Sequence, residues 1–260
     1  MPTVNLFFFK YQGAGNDFIL IDDRLDIFPD SSSLIKQLCD RRFGIGSDGV
    51  MLIKKSDQAD IKLDFINPDG SRSFCGNGSR CGLRFAKILG EIEETCSFEA
   101  IDGVHQGEIK NDVVRISMMD VDTVSEHPSG YLLHTGSPHL IIEVENLDEI
   151  DVKTEGARIR FGEEFKEHGI NVNFVTYGSD RNLRIRTYER GVEDETLSCG
   201  TGVTAAALSM AIRNGFDSGP IKVKSRGGDL EVDFSYVDQG FQSVWLQGPA
   251  KKVFSGEIVI

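Results

Sequence analysis

A chain of 260 residues, 40% apolar and 27% charged, is long enough for one large or two modest domains with a real core. Its formal charge of −13 argues against a nucleic-acid or anionic-membrane partner, since both need a basic face. No apolar run approaches the length of a membrane span. The Leu6–Phe9 run lacks a basic leader, so no signal peptide is expected, and five scattered cysteines without a CxxC fit a reduced, cytoplasmic protein.

Short β-like segments dominate, separated by Gly, Asn, Asp and Pro. The pattern predicts strands at Val4–Tyr11 and Phe18–Asp22, then a short amphipathic helix from Leu34 to Arg41 capped by Ser33. Strands at Val50–Lys54 and Ile61–Ile66 lead to a second helix over about 79–89. Strands at Val113–Met118 and His139–Val144 precede a helix over Val152–Phe161. Val172–Thr176 and Leu183–Tyr188 precede a last helix from about Thr201 to Arg213. Ile221–Ser225, Leu230–Phe234 and Val244–Leu246 complete the predicted strands. The last helix is apolar nearly all the way round, so it is expected to be buried, with a sheet wrapped around it.

One short sequence occurs twice. Cys75-Gly-Asn-Gly78 precedes the second helix, and Cys199-Gly-Thr-Gly202 opens the last, nearly half the chain further on. This reads as two similar halves, each with a Cys-Gly-x-Gly turn at a helix start. A helix N-terminus carries unpaired N–H groups and a positive dipole end, so a cysteine there can ionise more readily than a free thiol. The glycines let backbone N–H groups approach a carboxylate. Two such turns gripping one carboxylate suit a two-base racemisation or epimerisation, in which one thiolate removes an α-proton and the other thiol returns one. A lone cysteine is more often structural; the repetition favours chemistry.

Cys39, Cys81 and Cys96 lack this setting and read as structural. No Cys or His pair completes a zinc site around Cys75 and Cys81, so no metal is expected. Gly44–Gly49 matches the dinucleotide-binding pattern, but it follows a predicted helix and leads into a strand, the reverse of what that site needs. Asn16, Asn67, Asn171, Glu189, Arg190 and His139 stand in turns or at strand ends. Singly, each reads as turn chemistry, a solvated ion pair or a packed histidine.

Taken in order, Lys10–Phe18, Arg42–Gly49, Asn67–Ser71, Cys75–Cys81, Thr135–His139, Asn171–Phe174, Tyr188–Gly191 and Glu195–Gly202 resemble the diaminopimelate epimerase family nearly end to end. The resemblance implies an α/β fold of two pseudo-symmetric halves, each a mixed β-sheet curled around a central helix, with the active site in the cleft between them. The halves would be 1–119, with about 249–260 returning to it, and 120–248. It implies a cofactor-independent enzyme, often a homodimer, that interconverts LL- and meso-2,6-diaminopimelate in lysine and peptidoglycan-precursor synthesis. Cys75 would be the proton donor and Cys199 the acceptor in the LL to meso direction, with His139 and Glu189 modulating the thiols. Gly76, Asn77, Gly200 and Thr201 would hold the reacting carboxylate. Asn16, Asn67, Asn171, Glu189 and Arg190 would be the remaining substrate ligands, Arg190 suiting a carboxylate and Glu189 an ammonium.

The chain departs from the family pattern at Ser137, where many relatives carry Asn, and at Gly49, where some carry Gln. The Asn67–Cys75 gap is one residue shorter than expected, and the Arg190–Cys199 run one longer. Two other readings stand beside this one: a proline-racemase-type enzyme with the same paired cysteines, and a non-catalytic amino-acid-binding protein.

Overall fold

The computed structural model describes residues 5–260; Val4, the start of the first predicted strand, lies outside the described residues. In chain order the elements begin β1 (Asn5–Gly13), β2 (Asn16–Asp22), α1 (Ser32–Cys39), β3 (Val50–Lys54), β4 (Ile61–Ile66) and α2 (Gly76–Ile88). They continue with β5 (Thr95–Ala100), β6 (Gly103–Lys110), β7 (Val113–Ser117), β8 (Val124–His127), β9 (Gly130–His134), β10 (Pro138–Glu143) and α3 (Val152–Arg160). Then follow β11 (Asn171–Tyr177), β12 (Asn182–Glu189), β13 (Asp194–Thr196), α4 (Gly200–Asn214), β14 (Ile221–Ser225), β15 (Gly228–Val237), β16 (Gly240–Pro249) and β17 (Lys251–Val259). The chain divides into two compact units, one running to Ile116 and including Pro249–Ile260, the other Ser117–Gly248.

In the first unit the strands pair in the order β17, β1, β2, β3, β4, β5, β6, β7. The β2/β3 and β4/β5 pairs are parallel and the others antiparallel. A parallel pair needs a crossover, and α1 and α2 supply the two. The strands near the middle are buried on both faces. Ile19, Ile21, Val50 and Leu52 pack against Ile35 and Leu38 of α1, while the alternate residues Phe18, Leu20, Met51 and Ile53 are buried on the opposite face. On α2, ten residues from Gly76 to Ala86 are buried, including Arg80, Cys81, Leu83 and Phe85.

The second unit repeats this plan. Its strands pair in the order β8, β9, β10, β11, β12, β14, β15, β16, with β13 on β12. Again two pairs are parallel, β10/β11 joined through α3 and β12/β14 joined through α4. The outward residues Leu140, Val172, Phe174 and Tyr188 pack with Val152 of α3. The alternate residues His139, Asn173 and Thr187 are buried on the other face. The helix expected to be apolar nearly all the way round is α4, buried from Gly200 through Ala211.

Some boundaries differ from expectation. Ser31, not Ser33, caps α1, accepting a hydrogen bond from Leu34 N–H at 3.3 Å. α2 begins at Gly76, because Cys75 itself is the cap residue. Among the described residues no helix is long and apolar enough to cross a membrane.

Candidate active site

Both Cys-Gly turns are helix caps. Cys75 and Cys199 hold extended backbone conformations, and their carbonyls accept the first helical hydrogen bonds, from Ser79 N–H at 2.7 Å and Val203 N–H at 2.8 Å. The Cys75 sulfur accepts from Gly78 N–H at 3.3 Å, occupying the place a serine or aspartate oxygen takes in an ordinary cap. The Cys199 sulfur makes no such capping bond. It lies 3.4 Å from the Thr201 hydroxyl instead.

Behind the first turn lies a polar chain. Arg80 is fully buried one turn into α2, and its Nη2 donates to Asn77 Oδ1 at 2.8 Å. Asn77 Nδ2 donates to Asn16 Oδ1 at 3.1 Å, and Asn16 Nδ2 donates to Asp48 Oδ2 at 2.5 Å. Ala14 and Gly15 make the two-residue turn joining β1 to β2, so Asn16 is the first residue of β2, opposite Gly13. The other Asp48 oxygen accepts from Arg41, which also pairs with Asp17. Burial alone would raise the Asp17 carboxyl, but hydrogen bonds from Arg41 and Lys10 outweigh it and hold the group below the usual range.

Behind the second turn the groups are neutral. Asn173 Nδ2 donates to the Leu140 and Asn171 carbonyls at 3.2 and 3.3 Å, which fixes the orientation of its amide. That same nitrogen faces His139 Nδ1 at 3.1 Å, so Nδ1 is an acceptor and the ring proton sits on Nε2. Nε2–H therefore donates to Thr201 Oγ1 at 2.9 Å, leaving the Thr201 hydroxyl hydrogen for the Cys199 sulfur. Burial, then His134 and Arg190, push the His139 pKa down to about 3, so the ring is neutral. Gly202 makes this approach possible, because a Cβ there would stand 2.5 Å from Asn173 Oδ1.

The remaining predicted ligands are spread over local turns. Asn171 Nδ2 donates to Ser137 Oγ at 2.8 Å and the Pro138 carbonyl at 3.0 Å, while its Oδ1 accepts from Arg190 N–H at 2.9 Å. Asn171 thus ties the Ser137-Pro138 turn to the end of β12. The Arg190 guanidinium is exposed and donates to the His168 carbonyl at 2.9 Å. Glu189, half-buried, ends β12 opposite Asp194. Asn67 spends its amide on its own loop, donating to the Ser71 carbonyl and to the Ser71 and Ser73 hydroxyls, each at 3.1 Å. Gly49 cannot carry a side chain without displacing Phe65, whose ring would lie 2.4 Å from a Cβ there.

Sequence reasoning did not single out Asp48, Arg80, Asn173 or Thr187. The available signal was an arginine inside an otherwise buried helix and polar residues alternating with apolar ones along Asn171–Phe174. The other cysteines are poor acids. Burial pushes Cys81 and Cys96 up to about 12, and raises Cys39 despite a hydrogen bond from Ser47. All five cysteines are free thiols. Among the described residues no group of three or more His, Cys, Asp or Glu is arranged to hold a metal ion.

Two helix-centred mixed sheets of this kind define the fold of the phenazine-biosynthesis and proline-racemase-like proteins. Solved structures of a PhzF-family phenazine biosynthesis protein from Bacillus anthracis (TM-score 0.76, 15% identity, 100% of both chains) and a hydroxyproline epimerase from Agrobacterium vitis (TM-score 0.71, 14% identity, 100% of this chain and 92% of that one) share it. At such identity the likeness carries the fold alone. The chain belongs to the diaminopimelate epimerase family, whose family model matches residues 8–124 and 131–253. It is 47% identical to a diaminopimelate epimerase of Flavobacterium psychrophilum, over 96% of this chain and 99% of that protein. It is 40% identical to one from Chlorobaculum tepidum, over 96% and 100%.

Proposed function

We propose that the protein epimerises 2,6-diaminopimelate between its LL and meso forms, using Cys75 and Cys199 as the acid and base. Family membership supports the substrate. The observation that carries the mechanism is the pair of cysteines, each the cap of a helix whose first turn offers backbone N–H groups.

In the LL to meso direction, the Cys199 thiolate takes the α-proton, forming S–H as the C–H bond breaks. The electron pair moves into the α-carboxylate, which N–H groups at Gly76, Asn77, Gly200 and Thr201 would hold. The Cys75 thiol then gives its proton to the opposite face of the carbon, becoming a thiolate. Proton exchange with solvent resets the pair. On this reading His139 acts as a neutral donor and not as a base. Its Nε2–H orients the Thr201 hydroxyl, and that hydroxyl donates to the Cys199 sulfur, favouring the anion. Arg190 would take the distal carboxylate and Glu189 an ammonium, with Asn16, Asn67 and Asn171 completing the substrate contacts. We extend the reading to a homodimer, supported by the exposed apolar side chains Phe7, Val253, Phe254 and Val259 on β1 and β17; a monomer in sedimentation would remove it.

The test is NMR of LL-diaminopimelate with the protein in D2O, alongside proline and hydroxyproline. The expected outcome is meso product carrying deuterium at the new centre from the first turnover, with neither proline substrate altered. A product that keeps the substrate's α-hydrogen overturns the two-thiol mechanism. Turnover of proline alone would transfer the chain to the proline-racemase reading, and binding without exchange would make it a binding protein.

A further inference from the structure

The Arg80–Asn77–Asn16–Asp48 chain has a direction. An arginine can only donate and a carboxylate can only accept. With Arg80 at one end, Asn77 must turn its Oδ1 toward the guanidinium and its Nδ2 toward Asn16. With Asp48 at the other end, Asn16 must turn its Nδ2 toward the carboxylate and its Oδ1 toward Asn77. An amide flip at either asparagine would set a donor against a donor at one junction and an acceptor against an acceptor at the other. The two charged ends therefore hold two neutral amides in one orientation each.

The ends are built for this task. Arg80 is fully buried, and its Nε and Nη1 have no hydrogen-bond partner among the described residues. A buried cation with so little compensation is costly, and an apolar residue in its place is often neutral or stabilising. Folding alone does not account for it. At the other end, Asp48 Oδ2 accepts from both Asn16 Nδ2 and Asp17 N–H, while Oδ1 accepts from Arg41. An Asn in this place would meet donors on both sides and could satisfy only one.

We propose that Arg80 and Asp48 are positioning residues that act through Asn77 and Asn16, fixing which end of each amide the substrate meets. This rests on the proposed function, in which both asparagines contact the substrate. The orientation matters because a substrate carboxylate takes N–H donors and is repelled by amide oxygens. The burial that lowers the Arg80 pKa to about 10 leaves it a cation, and so a donor, at neutral pH.

Three variants test the proposal. Arg80→Met removes the donor while filling the space. Arg80→Gln keeps a neutral donor within reach of Asn77. Asp48→Asn disturbs the other end. In folded protein, Arg80→Met and Asp48→Asn are each expected to lower kcat/KM for diaminopimelate about 10-fold, the factor for one hydrogen bond, mainly through KM. Arg80→Gln should recover most of that loss. The second readout needs no turnover. The side-chain amide resonances of both Asn77 and Asn16 should move in Arg80→Met, although Arg80 bonds only the first of them. A folded Arg80→Met protein with unchanged kcat/KM, an Arg80→Gln protein as impaired as Arg80→Met, or an Asn16 amide that ignores Arg80→Met would each overturn the relay. If the wild type fails to epimerise diaminopimelate, the functional reading falls, and the amide resonances still decide whether the relay exists.

Discussion

The two Cys-Gly turns share a sequence pattern and a place in the fold, but they are supported by opposite kinds of chemistry. Behind Cys75 stands a charged chain running from a buried arginine through two amides to a carboxylate. Behind Cys199 stands a neutral chain running from an amide through a histidine to a hydroxyl. The first sulfur accepts from the backbone of its own helix, the second sits beside a side-chain hydroxyl. A repeated turn thus places a cysteine sulfur at each helix start, while the residues behind it give each copy its own electrostatics.

The sharpest way to break this comparison is to remove each sulfur in turn. Cys75→Ala and Cys199→Ala are each expected to cut epimerisation on the order of 10³-fold or more, since every cycle needs both an acid and a base. The double variant should be scarcely worse, because the pair acts as a unit. Steady-state rates of the three proteins check this. A Cys75→Ala enzyme near the wild-type rate would reduce the first turn to a binding role.

A smaller effect separates the second glycines of the two turns, Gly78 and Gly202. Gly202→Ala would force a Cβ to 2.5 Å from Asn173 Oδ1, an atom held in a buried network. It should cost about 2 kcal/mol in urea unfolding, in the range for overpacking. Gly78→Ala meets only the flexible Met51 tip at 3.1 Å and the Cys75 sulfur at 3.3 Å. Gained helix propensity offsets that strain, so its stability should stay within about 1 kcal/mol of wild type. Equal losses at the two sites would remove the asymmetry.

The last expected effect is confined to acid. His139 titrates near the ordinary imidazole value of about 6.5 when unfolded and at about 3 when folded. Between those values the unfolded state binds the extra proton, so stability is lost as pH falls below 6.5. By pH 4.5 the loss from this group should reach about 2–3 kcal/mol. His139→Gln should be less sensitive to acid over the same window, and parallel stability–pH curves for the two proteins would show that His139 is not held neutral.

Most of what positions the site was legible in the sequence. The repeated Cys-Gly-x-Gly pattern marked both helix starts to within a few residues, α2 beginning at Gly76 and not near 79, and the apolar run after Cys199 marked a helix buried along most of its length. The three consecutive serines at the start of α1, Ser31 to Ser33, could not be ranked as caps, because the choice depends on which one meets Leu34 N–H. Strands β5, β6, β8, β9 and β13 went unseen because they are short or largely polar. β17 escaped because it is mostly exposed and alternation is weak there. Asn16 and Asn77 could be named, but not the direction of their amides. That direction is set by Asp48 and Arg80: Arg80 bonds Asn77 one helical turn away, but the Asn16–Asp48 and Asn77–Asn16 links cross long stretches of chain and leave no local pattern.

The pairing of β1 with β17 carries a consequence for biosynthesis. Asn5 lies opposite Val259, and the ladder continues to Gln12 opposite Lys251. On the ribosome, the first unit must therefore wait with one ladder of β1 unfilled while the whole second unit is made. The second unit, contiguous in sequence, can fold as it emerges. A late-arriving strand leaves an open, partly apolar edge for the duration of synthesis, and that interval is when the nascent chain is most exposed to wrong pairing.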